Sequence, residues 1–190
     1  MRIVGGRLRG RALLSPRDRA TRPTSDRVRE ALFNILAHGI ADFSFAGVRV
    51  LDLFAGTGAL GIEALSRGAA YCLFVEASAE TRGLIRENVE TLSLIGQTRI
   101  YRRDATALGP VGSAGTYALA FADPPYGKGL AERALGAARH GGWLAPGAIA
   151  VVEESAVAGF AAPEHFTTIS RRIYGDTEVV VLRFERDSAG

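Results

Sequence analysis

From residue 48 onward the chain alternates short apolar runs with segments whose apolar residues recur every three or four positions. Strands interleaved with helices make this pattern, which predicts an α/β domain on a mostly parallel sheet with helices on both faces. The strands read as 48–54 (VRVLDLF), 70–76 (AYCLFVE), 98–104 (TRIYRRD), 117–123 (YALAFAD) and 148–154 (AIAVVEE). Helical stretches fall at about 58–67, 79–94 and 129–140, with Gly68 placed to end the first and Ser78 to cap the second. Residues 168–184 (TISRRIYGDTEVVVLRF) read as two more strands joined at Gly175 and Asp176. The sheet of seven strands is therefore expected to finish in an antiparallel hairpin.

Ahead of the sheet, Val28, Leu32, Ile35 and Leu36 share one side of a helix that Ser25 or Asp26 can cap and Gly39 can end. The first 15 residues carry two short apolar runs separated by glycines and arginines, which predicts a small hairpin. The expected organisation is a basic extension, 1–23, followed by one domain, 24–190. A length of 190 residues at 47% hydrophobic composition suits a single core.

Charge changes this picture. Residues 1–30 hold nine arginines against Asp18, Asp26 and Glu30, whereas the rest of the chain has a small acidic excess. A basic arm on a mildly acidic body suits an anionic polymer, whose phosphates attract it at range and are then gripped by arginine forks. No apolar run approaches the length that spans a bilayer, so no membrane contact and a cytoplasmic location are expected. The single cysteine, Cys72, lies in an apolar run, and His38, His140 and His165 lack ligand spacing, so no disulfide and no metal are expected.

The candidate chemistry lies at two strand ends. VLDLFAGTGALGIEAL places Gly56, Gly58 and Gly61 between a strand and a helix, and Glu76 follows Gly56 by 20 residues at the tip of the next strand. Such a loop lets backbone approach a nucleotide while the acid binds ribose hydroxyls, which suits a dinucleotide oxidoreductase as well as other nucleotide enzymes. Asp52 favours a cationic ligand: a pyrophosphate repels a nearby carboxylate, whereas the ammonium and sulfonium of S-adenosylmethionine attract one. The alternative for Asp52 is a helix-side cap or a turn residue. Asp104 ends the third strand, where an acid can accept from an adenine amine or form an ordinary turn.

The second site is DPPY, 123–126. Pro124 and Pro125 lack N–H groups and stiffen the turn, so Asp123 and the Pro124 carbonyl can accept both protons of a nucleobase amine while Tyr126 stacks on the ring. A base must leave its stack to enter such a pocket. The same four residues can also form nothing more than a strand-ending turn.

With these residues in place, the chain resembles the class I S-adenosylmethionine-dependent methyltransferases, and within them the bacterial RsmD family. The resemblance rests on RIVGGRLRGRAL, RPTSDRVREALFNIL, DLFAGTGALGIEALSRGA, FADPPYGKGL and the turn Gly175, Asp176, Thr177, in order along nearly the whole chain. It implies a Rossmann-like class I methyltransferase fold and methylation of the N2 amine of a guanine in 16S ribosomal RNA; free RNA and a partly or fully assembled small subunit are both open as the substrate, and a monomer is the simplest expectation. It implies cofactor contacts at Asp52, Phe54, Gly56, Gly58, Glu76, Asp104 and Ala105, and amine binding at Asp123, Pro124, Pro125 and Tyr126. RNA contacts are implied at Arg22, Pro23, Thr24, Arg27 and Arg29 near the pocket mouth, with Arg7, Arg9 and Arg11 as phosphate contacts. For Arg27 and Arg29 a solvated helix face is an equal alternative. The same motifs leave open an adenine N6 or DNA substrate, and a non-enzymatic RNA-binding protein of the same fold.

Overall fold

A computed structural model describes residues 1–16 and 24–185, with Thr24 and Ser25 described for their backbone alone. Arg22, Pro23 and the side chain of Thr24, expected at the RNA face, thus lie outside the described residues. Helix α1 spans Thr24–His38, followed by β1 (Arg49–Leu53), α2 (Ala59–Ser66), β2 (Tyr71–Val75), α3 (Ala79–Thr91), β3 (Thr98–Tyr101) and β4 (Tyr117–Ala122). Helix α4 (Leu130–His140) and strands β5 (Leu144–Ser155), β6 (Phe166–Tyr174) and β7 (Thr177–Phe184) complete the order.

The seven strands form one sheet in the order β3-β2-β1-β4-β5-β7-β6. All neighbours among the first five are parallel, and β7 runs antiparallel to both β5 and β6. The fold is thus the expected Rossmann-like α/β class with an antiparallel end. Val50, Cys72, Phe74, Leu119 and Phe121 face one side, under α1, α2 and α3. Leu51, Leu53, Leu73, Ala120 and Ala122 face the other, with Ala131, Ala134, Leu135 and Ala138 of α4. Period-two alternation along buried parallel strands produces these two apolar layers. Among the described residues, no helix is long and apolar enough to cross a membrane.

Several element boundaries differ from the sequence expectation; β5, for example, begins at Leu144, four residues before the expected 148. Helix α3 stops at Thr91, three residues early, because the Leu94 amide bonds the Val89 carbonyl and the Ser93 amide bonds the Glu90 carbonyl, closing the helix with Ser93 at φ 58. Glycine normally marks that left-handed position, so a serine there hides the end. Strand β3 ends at Tyr101, since Asp104 caps a short 3-10 turn, Ala105–Ala107. Ser25 and Asp26 lie inside the first turn of α1 and do not precede it.

The N-terminal segment folds back on itself as a small, irregular hairpin: the Ile3 amide donates to the Arg11 carbonyl (3.0 Å), Leu13 to Met1 (3.0 Å) and Gly10 to Ile3 (2.8 Å). The described segment 1–16 has one bridge, Arg2 with Ala12, around a 3-10 turn at Gly6–Leu8. Gly6 and Gly10 sit at φ 72 and φ 82, which curls the chain away from a regular ladder. Further amides of the segment are held by helix side chains: the Val4 amide donates to Glu63 (2.9 Å), Leu8 to Ser66 (2.9 Å) and Leu14 to Asn88 (2.8 Å).

Candidate active site

The chain leaves β1 toward β2 on one side and leaves β4 toward β5 on the other, so the carboxyl ends of β1 and β4 flank the crevice where such sheets bind ligands. Leu53 is paired with Ala122, which makes Phe54 and Asp123 the first residues beyond the paired strands. Neighbouring strands lie about 5 Å apart, so the glycine loop and DPPY emerge side by side.

Within the glycine loop, Phe54, Gly56 and Gly58 all take positive φ, at 58, 56 and 79. A side chain on Gly56 would meet nothing nearer than the Phe54 carbonyl at 3.8 Å, so this backbone faces open space. Gly61 serves another purpose: a Cβ there would lie 2.4 Å from the Cys72 sulfur and 2.5 Å from the Phe74 ring. It lets α2 settle onto β2. Glu76 binds the loop from the side, its carboxylate accepting from the Gly56 amide (2.9 Å) and the Ser78 amide (2.8 Å).

Asp52, expected to face the cofactor, does not. Its alternation along β1 turns it with Val50 toward α2, where it is 2% exposed and accepts from the Gly61 amide at 3.0 Å. Burial pushes its carboxyl up to about 8 against the lowering effect of the Gly61 bond, and the Glu76 charge adds to the rise. Asp52 braces the loop from beneath. Asp104, in contrast, is exposed, and its Oδ1 accepts from both the amide and the hydroxyl of Thr106 (2.8 Å each). Those bonds hold its carboxyl below the usual range. Ala105 beside it is buried.

In the DPPY turn Asp123 and Pro125 are exposed, Pro124 is buried and Tyr126 is half-buried. The Tyr126 hydroxyl donates to Glu153 at 2.7 Å and lies 3.4 Å from the Thr177 hydroxyl. Burial, then the Glu153 charge, push the phenol well above its ordinary value, so it stays a donor. The next amide, Gly127, donates to buried Glu154 at 2.9 Å.

The family model described as Conserved hypothetical protein 95 matches residues 1–183. A protein of Escherichia coli K12 named Ribosomal RNA small subunit methyltransferase D is 36% identical, over 100% of this chain and 92% of its own length. The chain belongs to the RsmD family. Another relative, the Putative rRNA methyltransferase YlbH of Bacillus subtilis, is 41% identical over 66% of this chain and 67% of its own. Among solved structures, the putative methyltransferase yhhF of Escherichia coli superposes with a TM-score of 0.82 at 32% identity, covering 98% of this chain and 99% of that one. A putative methylase from Haemophilus influenzae gives 0.76 at 27% identity, over 97% and 98%.

The arginines of this RsmD-family chain divide by position. Arg29 lies beside Glu63 (3.8 Å) and Arg67 stacks over Phe33 (4.9 Å), so α1 descends alongside α2 and its first turn sits at the carboxyl edge. Arg27, in that turn, is exposed. Arg29, also expected to contact RNA, is not. It is 4% exposed, bonded to Asp26 at 2.7 Å and to the Arg2 carbonyl, because helix periodicity turns it inward onto the N-terminal segment. Arg7 bonds Gln97 (2.9 Å), which precedes β3, and Arg11 reaches the Thr91 carbonyl (3.4 Å) at the end of α3. Exposed Arg9 belongs to the same segment. Arg7 thus lies near the amino end of β3, whereas DPPY follows the carboxyl end of β4.

The sequence reading missed Glu153, Glu154, Thr177 and Asn88. The paired acids ending AIAVVEE were a visible signal, since consecutive charges rarely finish a buried strand without partners. Asn88 had one too: it replaces an apolar residue on the inner side of α3. It is 1% exposed, and its amide donates to the carbonyls of Leu14 (3.2 Å) and Thr57 (3.0 Å), joining the N-terminal segment to the glycine loop. Among the described residues no His, Cys, Asp and Glu group suited to a metal occurs.

Proposed function

We propose that the protein transfers a methyl group from S-adenosylmethionine to the N2 amine of a guanine in 16S ribosomal RNA. The observation that carries this reading is the exposed Asp123 one residue beyond β4, beside the open Gly56 of the neighbouring loop. The names of the relatives, small-subunit ribosomal RNA methyltransferases among them, support the substrate class.

The residues at the crevice fit the cofactor. Gly56 presents backbone without a side chain, Glu76 offers carboxylate lone pairs to ribose hydroxyls, and Asp104, an exposed anion past β3, suits an adenine amine. Phe54, Gly58 and Ala105 complete the wall, and Asp52 acts on the cofactor only through the loop it supports. When bound, the cofactor supplies a methyl group already activated on a sulfonium.

The chain then has to orient the acceptor. Asp123 accepts one amine proton and the Pro124 carbonyl the other, which aims the nitrogen lone pair and lets Asp123 take the proton released. Pro125 stiffens the turn, and the Tyr126 ring stacks on an extruded base. Arg27 meets phosphate, and Arg7, Arg9 and Arg11 meet further phosphates along the N-terminal segment. The substrate on this reading is a partly or fully assembled small subunit, bound by a monomer.

Methylation of free RNA and of partly assembled subunits, followed by mass analysis of nucleosides, tests the proposal. N2-methylguanine is expected, most rapidly on the particle, and Asp123→Ala should abolish it while cofactor affinity stays near normal. N6-methyladenine as product, or affinity for a nicotinamide dinucleotide in place of S-adenosylmethionine, would overturn it.

A further inference from the structure

Consecutive residues on β5 point to opposite faces of the sheet, and here both reach the same turn. Glu153, whose register partner Val179 lies in the layer under α1, accepts the Tyr126 hydroxyl at 2.7 Å. Glu154, on the opposite face, accepts the Gly127 amide at 2.9 Å and the Ser155 amide at 2.7 Å through one oxygen. The turn therefore straddles the end of β5, held on both sides.

Thr177 adds a second strand to this grip. It is 4% exposed, opens β7 opposite Ser155, and brings its hydroxyl to 3.4 Å from that of Tyr126. The Gly175–Asp176 turn before it is fastened to the same strand end, since the Ala156 amide donates to the Asp176 carbonyl at 2.9 Å. This gives a physical reason for the Gly175, Asp176, Thr177 sequence, which the cofactor and amine sites do not use.

We propose that Glu153 and Thr177 are positioning residues for methyl transfer, holding the Tyr126 ring through its hydroxyl so that a stacked base meets Asp123 in one orientation. The inference rests on the proposed role of Tyr126 as the stacking residue. A phenylalanine would offer the same face for stacking but would have no anchor for its edge. The tether thus acts on orientation more than on base affinity, and orientation is what a near-attack geometry requires. The Tyr126 hydroxyl is the donor in this contact, with the Glu153 carboxylate as acceptor.

Tyr126→Phe and Glu153→Ala should each lower kcat about tenfold, the factor expected from losing one hydrogen bond to a charged group. KM for RNA should change less than threefold and cofactor affinity should not change. The double variant should be no slower than either single one, and Glu153→Gln, which keeps an acceptor, should recover most of the rate. An independent readout uses tyrosine ring carbons labelled for NMR: the Tyr126 phenol should titrate at lower pH in Glu153→Ala than in the wild type. Should Glu153→Ala not fold, Tyr126→Phe and Glu153→Gln still decide the matter by their contrasting rates. Wild-type kcat in Tyr126→Phe, or multiplying losses in the double variant, would overturn the tether. Absence of any RNA methylation by the wild type would instead defeat the proposed function, with the phenol titration still reporting on the contact.

Discussion

Replacing Asp52 by asparagine should change how folding stability depends on pH, with little change in cofactor binding. Asp52 is buried beneath Gly61 with its carboxyl at about 8, against an ordinary value of 3.8. Below about pH 4 both folded and unfolded chains carry its proton. Between about 4 and 8 the folded chain keeps a proton that the unfolded chain has lost, so stability falls as pH rises, by about 1.4 kcal/mol per unit. Above about 8 the loss is complete and amounts to something on the order of 5 kcal/mol. Asparagine keeps an oxygen for the Gly61 amide and has no proton to lose. Urea unfolding followed by Trp143 fluorescence at pH 5 to 9 measures the difference between the two proteins. The stability advantage of the variant over the wild type should grow by several kcal/mol between pH 5 and pH 9. A constant difference across that range, together with a tenfold or larger loss of S-adenosylmethionine affinity, would refute the reasoning and mean that an ionised Asp52 faces the ligand.

Three further outcomes are expected. Gly61→Ala forces a methyl to within 2.4 Å of the Cys72 sulfur and should cost about 1–3 kcal/mol, read as a lower Tm and weaker cofactor binding because the loop is lifted off β2. Asn88→Ala removes bonds to Leu14 and Thr57 and should cost about 2–3 kcal/mol, with faster hydrogen exchange at the Leu14 amide; unchanged exchange would show that the N-terminal segment is held without it. Replacing Arg7, Arg9 and Arg11 together by alanine should reduce the slope of log affinity for RNA against log salt by up to about 3, and an unchanged slope would place the RNA elsewhere.

Much of this was legible in the linear pattern, and its limits follow from range. Alternation of apolar residues determined the strands, and the spacing of Gly56, Gly58 and Gly61 determined the loop, because each depends on backbone geometry within a few residues. The placing of DPPY beside that loop followed from strand polarity once a parallel sheet was recognised. Roles that depend on which side chains meet across the chain were not legible. Asp52 looks alike in sequence as a ligand contact, a cap or a turn residue, and only the packing of α2 on β1 makes it a buried acceptor for the Gly61 amide. Arg27 and Arg29 differ by two residues, yet helix periodicity together with Glu63, 34 residues beyond Arg29, exposes one and buries the other. Tyr126 is local, but Glu153 and Thr177 reach it from 27 and 51 residues away. Local spacing is set by the bonds of the backbone, whereas a buried polar partner is chosen by desolvation, which exists only after the core has closed.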